Sequence, residues 1–150
     1  MPMKPEFPNL LQPGFHQFAL TDLHDKFVMP FPASIRRQPL LDGLLSFIQE
    51  MKSLAIAGEL WFDGSFITEK LDPDDVDLVL VLEENSVNSL TAIEQKRLAR
   101  LLHNPSASMQ YHCDVYCVLS NDIVMISYWR GWYGFKRDGK TPKGIGLIEL

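Results

Sequence analysis

The feature that most constrains this chain is a pair of apolar runs on either side of a short polar interval. Trp61-Phe62-Asp63 runs into Gly64-Ser65, and Val76-Asp77-Leu78-Val79-Leu80-Val81-Leu82 follows directly behind Asp75. Both runs read as strands, the second opening on carboxylates at Asp75 and Asp77. Side chains two positions apart on a strand point to one face, with Cα atoms roughly 6 to 7 Å apart, so two flexible carboxylates there can converge on one or two divalent cations. Gly64 lets backbone approach a phosphate without interference from a Cβ, and Ser65 offers a hydroxyl and an N–H at the start of a helical turn. The plainer reading is a polar hairpin loop in which Asp72-Pro73-Asp74-Asp75 supplies turn chemistry.

Gly-Ser, a short spacer and then Asp-x-Asp resembles the signature of the nucleotidyltransferase superfamily typified by DNA polymerase β and kanamycin nucleotidyltransferase. The wording Gly64-Ser65-Phe66-Ile67-Thr68-Glu69-Lys70 with Pro73-Asp74-Asp75-Val76-Asp77 is also similar to small bacterial nucleotidyltransferase-like proteins. The resemblance implies a minimal polymerase-β-like α/β (α+β) fold: a small mixed sheet, helices mainly on one face, and active carboxylates on neighbouring strands. It also implies a third carboxylate on the strand beside Asp-x-Asp, a role that Asp114 matches by type and order.

At 150 residues and 46% hydrophobic content, the chain is expected to form a single domain, residues 1–150, with a sizeable core. No stretch approaches the roughly 18 uninterrupted apolar residues of a membrane span, and the N-terminus lacks the apolar core of a signal peptide, so a cytoplasmic protein without a membrane partner is expected. A net charge of −5 argues against broad nonspecific nucleic-acid binding but leaves room for a small basic pocket. Cys113 and Cys117, about 13 Å apart on a strand, are too distant for a disulfide and are expected to be buried thiols. The histidines, His16, His24, His103 and His112, have no zinc-site spacing.

Residues 1–14 carry Pro2, Pro5, Pro8 and Pro13, which favour extended backbone and predict an arm lying on the domain or free in solvent. Thr21 or Asp22 caps a short helix through Phe27. Gln38-Pro39 opens a longer one, with a stripe of Leu41, Leu44, Leu45, Ile48, Met51 and Ala55 ending at Gly58. Glu83-Glu84-Asn85 reads as a loop, and Thr91 with Glu94 as a capping box for a helix that runs to the Asn104-Pro105 break. Residues 111–119 read as a third strand, with His112, Asp114, Tyr116 and Val118 on one face. A helix from Asp122 to Tyr133, capped by Asn121 or Ser120 and stopped by Gly134, precedes a turn at Asp138-Gly139 and a last strand over 144–150.

Within the resemblance, Asp75, Asp77 and Asp114 would hold Mg²⁺ or Mn²⁺, the choice that hard oxygen donors and phosphates favour. The implied reaction is transfer of a nucleoside monophosphate from a nucleoside triphosphate to a hydroxyl or phosphate acceptor on a protein, an RNA end or a small molecule. Gly64 and Ser65 would hold the phosphates; Lys70 either reaches the same oxygens or is a solvated loop lysine. The short chain leaves little room for the additional domain of larger superfamily members, so a homodimer or a partner protein is expected to complete the cleft. The rival reading is a noncatalytic module of the same type in a toxin–antitoxin or phage-defence pair. Arg130, Lys136, Arg137, Lys140 and Lys143 interleave with Trp129, Trp132, Tyr133 and Phe135, aromatics that serve either as core or as stacking surface for a base. Gly134-Phe135-Lys136-Arg137-Asp138-Gly139-Lys140-Thr141 fits the P-loop pattern by letter, but no helix follows it to receive a phosphate.

Overall fold

The computed structural model describes residues 5–150 and shows a mixed α+β fold around one five-stranded sheet. In chain order the elements are β1 (Gly14–Gln17), a 3₁₀ turn (Leu20–Asp22), α1 (Leu23–Phe27), α2 (Arg37–Ser53), β2 (Gly58–Asp63) and a second 3₁₀ turn (Ser65–Ile67). Then come β3 (Val76–Leu82), α3 (Glu84–Asn88), α4 (Ala92–Leu101), α5 (Asn104–Tyr111), β4 (Cys113–Leu119), α6 (Ile123–Gly134) and β5 (Gly144–Glu149). The strand order is β1-β5-β2-β3-β4. β2 is antiparallel to both β3 and β5, while β1 runs parallel to β5 and β4 parallel to β3.

Strand alternation divides the core in two. Leu60, Phe62, Val76, Leu78, Leu80, Leu82, Cys113 and Val115 face α1, α2, α4 and α5. Trp61, Val79, Val81, Val118 and Ile145 face the opposite way and are covered by α6 through Ile126, Trp129 and Tyr133. The near-unbroken hydrophobicity of β3 follows, because a central strand covered on both faces has no solvent side.

Several boundaries differ from the sequence expectation. α2 ends at Ser53 and Ala55 takes the left-handed turn at φ 54°, so Gly58 belongs to β2 instead of closing the helix. A Cβ at Gly58 would meet the Val81 carbonyl, and close strand approach is the reason for that glycine. Glu84–Asn88 is a helical turn, not a loop. Pro105 ends nothing by itself: it occupies the first turn of α5, where its missing N–H has no partner to lose. The cap of α6 is Asp122, whose side chain accepts from Met125 N, instead of Asn121 or Ser120. The Thr91–Glu94 capping box is present in both directions. Cys113 is buried, whereas Cys117 is exposed and not the buried thiol expected. Residues 1–4 of the proline-rich arm lie outside the described residues; the remainder runs along the Thr68 segment, with Leu10 N donating to Ile67 O and Glu69 N to Pro8 O. No helix among the described residues is long and apolar enough to cross a membrane.

Arg37, fully buried in the first turn of α2, ties the polar interval to the core. All five of its N–H groups are engaged: Nε donates to the Lys70 carbonyl, one terminal nitrogen to those of Phe27 and Phe66, the other to those of Thr68 and Lys70. Its guanidinium carbon stands 3.7 Å from the centre of the Phe31 ring. Burial pulls its pKa down to about 10, partly offset by Asp72, and the group stays charged at neutral pH. Replacement by methionine keeps the stem and strands buried carbonyls, each costing about 1 to 3 kcal/mol. Arg37→Met should therefore lower unfolding free energy by at least about 3 kcal/mol in urea denaturation; a loss below 1 kcal/mol would show that water replaces the guanidinium.

Candidate active site at the end of the sheet

β2, β3 and β4 bring three carboxylates into one row. Asp63, the last residue of β2, pairs in register with Asp77 of β3, and Asp77 pairs with Asp114 of β4. The pleat puts the row on the α6 side: Asp63 shares a face with Trp61, Asp77 with Val79, and Asp114 with Val118. Neighbouring strands lie about 4.8 Å apart, so each carboxylate repels the next. Asp75 precedes β3 instead of opening it.

A cavity of about 680 Å³ lies over the row. Its wall contains all the residues singled out from sequence, namely Gly64, Ser65, Lys70, Asp75, Asp77 and Asp114, and adds Asp63, Thr68, Tyr116 and Lys143. Trp129, Trp132, Tyr133 and Phe135 line it from α6 and the segment after it, and Pro5, Glu6 and Phe7 line it from the arm. Asp63 and Lys143 are the residues that sequence reasoning passed over as a site pair. The signal for Asp63 was its position directly before Gly64; for Lys143 there was only its place in a basic cluster, because the two are joined by tertiary structure alone.

Asp63 is 1% exposed, and its Oδ1 accepts from Lys143 Nζ at 2.8 Å and from Gly64 N at 2.7 Å. Its Oδ2 is buried with no partner. Burial pushes its pKa up to about 7 against the opposing charge and hydrogen bond of Lys143. Asp77 is likewise pushed up to about 7, first by burial, then by the charges of Asp75, Asp114 and Asp63, with Lys143 opposing. Tyr133 carries a buried hydroxyl with no partner, and burial together with Asp77, Asp63 and Asp114 raises its phenol far above the ordinary range. It is a neutral group at any working pH.

Gly64 sits at φ 85°, where a side chain is strained, and a Cβ there would collide with the Asp77 carboxylate. Its N–H is already spent on Asp63. The glycine therefore makes room for Asp77 itself, a closer partner than the phosphate expected from sequence. Ser65 opens the 3₁₀ turn, and its carbonyl accepts from Thr68 N and Thr68 Oγ1. Lys70 Nζ stands 3.8 Å from Asp74. The segment with P-loop lettering runs from the end of α6 into β5, with Asp138 accepting from Lys140 N, Thr141 N and Thr141 Oγ1 around the Gly139 turn. That order, helix then strand, is the reverse of a phosphate-cradling loop.

Among the described residues, no group of three or more His, Cys, Asp or Glu side chains is placed so as to hold a metal ion. The row as it stands is thus not a closed cage. Its donor chemistry still fits a hard divalent cation on one observation: Asp63 Oδ2 is an orphaned, buried carboxylate oxygen beside a carboxylate that its neighbours destabilise.

The chain belongs to a family of unknown function, DUF6932, whose model matches residues 5–149. No curated protein and no solved structure matches it.

The row makes stability fall with pH. A carboxyl that ionises in the ordinary range when unfolded and near 7 when folded keeps its proton longer in the native state, so stability is lost as pH rises from about 4 to about 7. Asn mimics the protonated form. Asp77→Asn should gain roughly 2 kcal/mol more over wild type at pH 8 than at pH 5 in urea unfolding without divalent cations; equal effects at both pH values would mean that Asp77 ionises normally.

Proposed function

We propose that this member of the DUF6932 family is a metal-dependent nucleotidyltransferase of minimal polymerase-β-like fold, moving a nucleoside monophosphate from a triphosphate to an acceptor. The observation that carries the reading is the register Asp63–Asp77–Asp114, which gathers the carboxylates beside the Gly64-Ser65 turn at one end of the sheet and under one cavity. At Asp77 the charges of Asp75, Asp114 and Asp63 oppose ionisation and Lys143 favours it, a balance that a cation joining the row would shift towards the ionised form.

Asp75, Asp77 and Asp114 are the side chains that would hold Mg²⁺ or Mn²⁺. When bound, the cation neutralises phosphate charge and acidifies the acceptor oxygen. Asp114 would accept the acceptor proton as that oxygen attacks the α-phosphorus and the bond to pyrophosphate breaks. Lys143 lies at the cavity wall beside Asp63, where its ammonium can turn to a phosphate oxygen. Ser65 and Lys70 line the same space and would contact the phosphates, while Gly64 keeps the Asp77 carboxylate in the row. The Arg37-held segment keeps the turn in place during transfer.

Mg²⁺ or Mn²⁺ with a nucleoside triphosphate should raise the melting temperature of wild type and leave that of Asp75→Ala/Asp77→Ala unmoved, since only native-state binding stabilises. Asp114→Asn should lower pyrophosphate release by about a hundredfold or more with triphosphate affinity less affected. Lys140→Ala, outside the cavity wall, should change neither. An unaltered melting shift in the double variant would remove the carboxylate row from the reading. Binding without pyrophosphate release across hydroxyl and phosphate acceptors would favour the noncatalytic module of a toxin–antitoxin or phage-defence pair.

A further inference from the structure

The carboxylate row and the Gly64-Ser65 turn account for only part of the cavity wall. The rest is aromatic and basic, supplied by α6 and the segment leading to β5. Its aromatic side chains differ in how much of their surface is already used. Trp129 is spent: its ring lies 4.4 Å from that of Tyr116 at 35°, and it makes edge contacts with Tyr128 at 5.2 Å and Tyr133 at 5.8 Å. Tyr133 is 7% exposed and belongs to the core under α6. Trp132, on the last turn of α6, is 62% exposed and has an edge contact with Tyr128 at 6.3 Å. It is the cavity-lining aromatic with the largest open surface, more than Phe7, Tyr116 or Phe135.

Trp132, left open on the cavity wall, presents a flat aromatic face to the same space that the acids line. The ligand group that uses such a face is a planar aromatic ring. Resting on the triphosphate reading above, we propose that Trp132 is the stacking platform for the nucleobase, so that the sheet end holds the phosphates and the last turn of α6 holds the base. Stacking of this kind uses the π-face that every base has, and it carries little preference among bases. The selectivity of the site therefore lies in having a base at all: a nucleoside triphosphate is held more tightly than a bare polyphosphate, and the four bases differ by only a few-fold.

Inorganic tripolyphosphate separates the two halves of the site. With Mg²⁺ present, calorimetric titration of wild type, Trp132→Ala and Trp132→Phe against ATP, CTP and tripolyphosphate is the test. Wild type should bind ATP and CTP more tightly than tripolyphosphate. Trp132→Ala should weaken ATP and CTP by about tenfold, towards the value for tripolyphosphate, while leaving tripolyphosphate unchanged, and Trp132→Phe should recover part of the loss. Equal affinities of wild type for ATP and tripolyphosphate overturn the platform and leave the phosphate site standing. A Trp132→Ala loss common to all three ligands, or absent from all three, overturns it as well. A change of oligomeric state in Trp132→Ala with nucleotide binding intact assigns the residue to a protein interface instead. If wild type binds none of the three, the triphosphate reading fails first and the base platform with it.

Discussion

Everything at the end of the sheet depends on one buried guanidinium. Arg37 enters at the start of α2 and grips the carbonyls of Phe66, Thr68 and Lys70, so the irregular stretch between β2 and β3 is held from beneath as firmly as a strand is held by its neighbours. An irregular segment ordinarily stays on the surface, because buried carbonyls without partners are costly. Here a single side chain with five donors satisfies that segment from within. Asp72 completes the clasp from the other side, accepting from Ser34 Oγ, Ile35 N and Arg36 N just ahead of α2. Those bonds, the Ser34 hydroxyl first among them, hold its carboxyl below the usual range. The loop and the helix thus fix each other, and the Gly64-Ser65 turn is fixed with them.

The parts legible in the sequence were those with a local cause. The apolar runs of β2 and β3, the capping box at Thr91 and the turn at Asp138-Gly139 each announce themselves within a few residues. Asp114 was legible for a different reason: a carboxylate inside an otherwise apolar strand needs an explanation wherever it falls. The parts that were missed depend on partners distant in the chain. Asp63 and Lys143 are 80 residues apart, and no periodicity links them. Nothing in the sequence singles out Arg37, because its partners are backbone carbonyls that leave no trace in side-chain identity. Pro105 shows a subtler limit, since the same residue that forbids continuing one helix is well suited to starting the next.

Gly64 illustrates how a residue singled out from sequence can have a different structural reason. A glycine between a strand and a helical turn suggests room for a phosphate, and its positive φ agrees with that expectation. Yet the space that its missing Cβ leaves is filled by Asp77, and its N–H is held by Asp63. The turn and the carboxylate row are consequently one object. Neither can shift without the other, which ties the turn and the carboxylate row together through a single backbone position.

The cost of this arrangement is paid at one place. Burial opposes ionisation of both Asp63 and Asp77, the neighbouring acids add to it at Asp77, and Lys143 relieves only part of it. Neutralising Asp77 would remove its share of that penalty, whereas removing Asp63 would strand Lys143 Nζ and Gly64 N, which it holds. The strain is local, since the same strands are otherwise well packed on both faces. Stored electrostatic strain confined to the mouth of a cavity differs in kind from a defect spread through the core: it is relieved by whatever positive charge enters there. The α6 wall supplies aromatic surface to the same cavity. On the reading proposed above, a ligand that brings a cation to the acids and a planar ring to Trp132 uses both walls at once, whereas a simple cation uses only one.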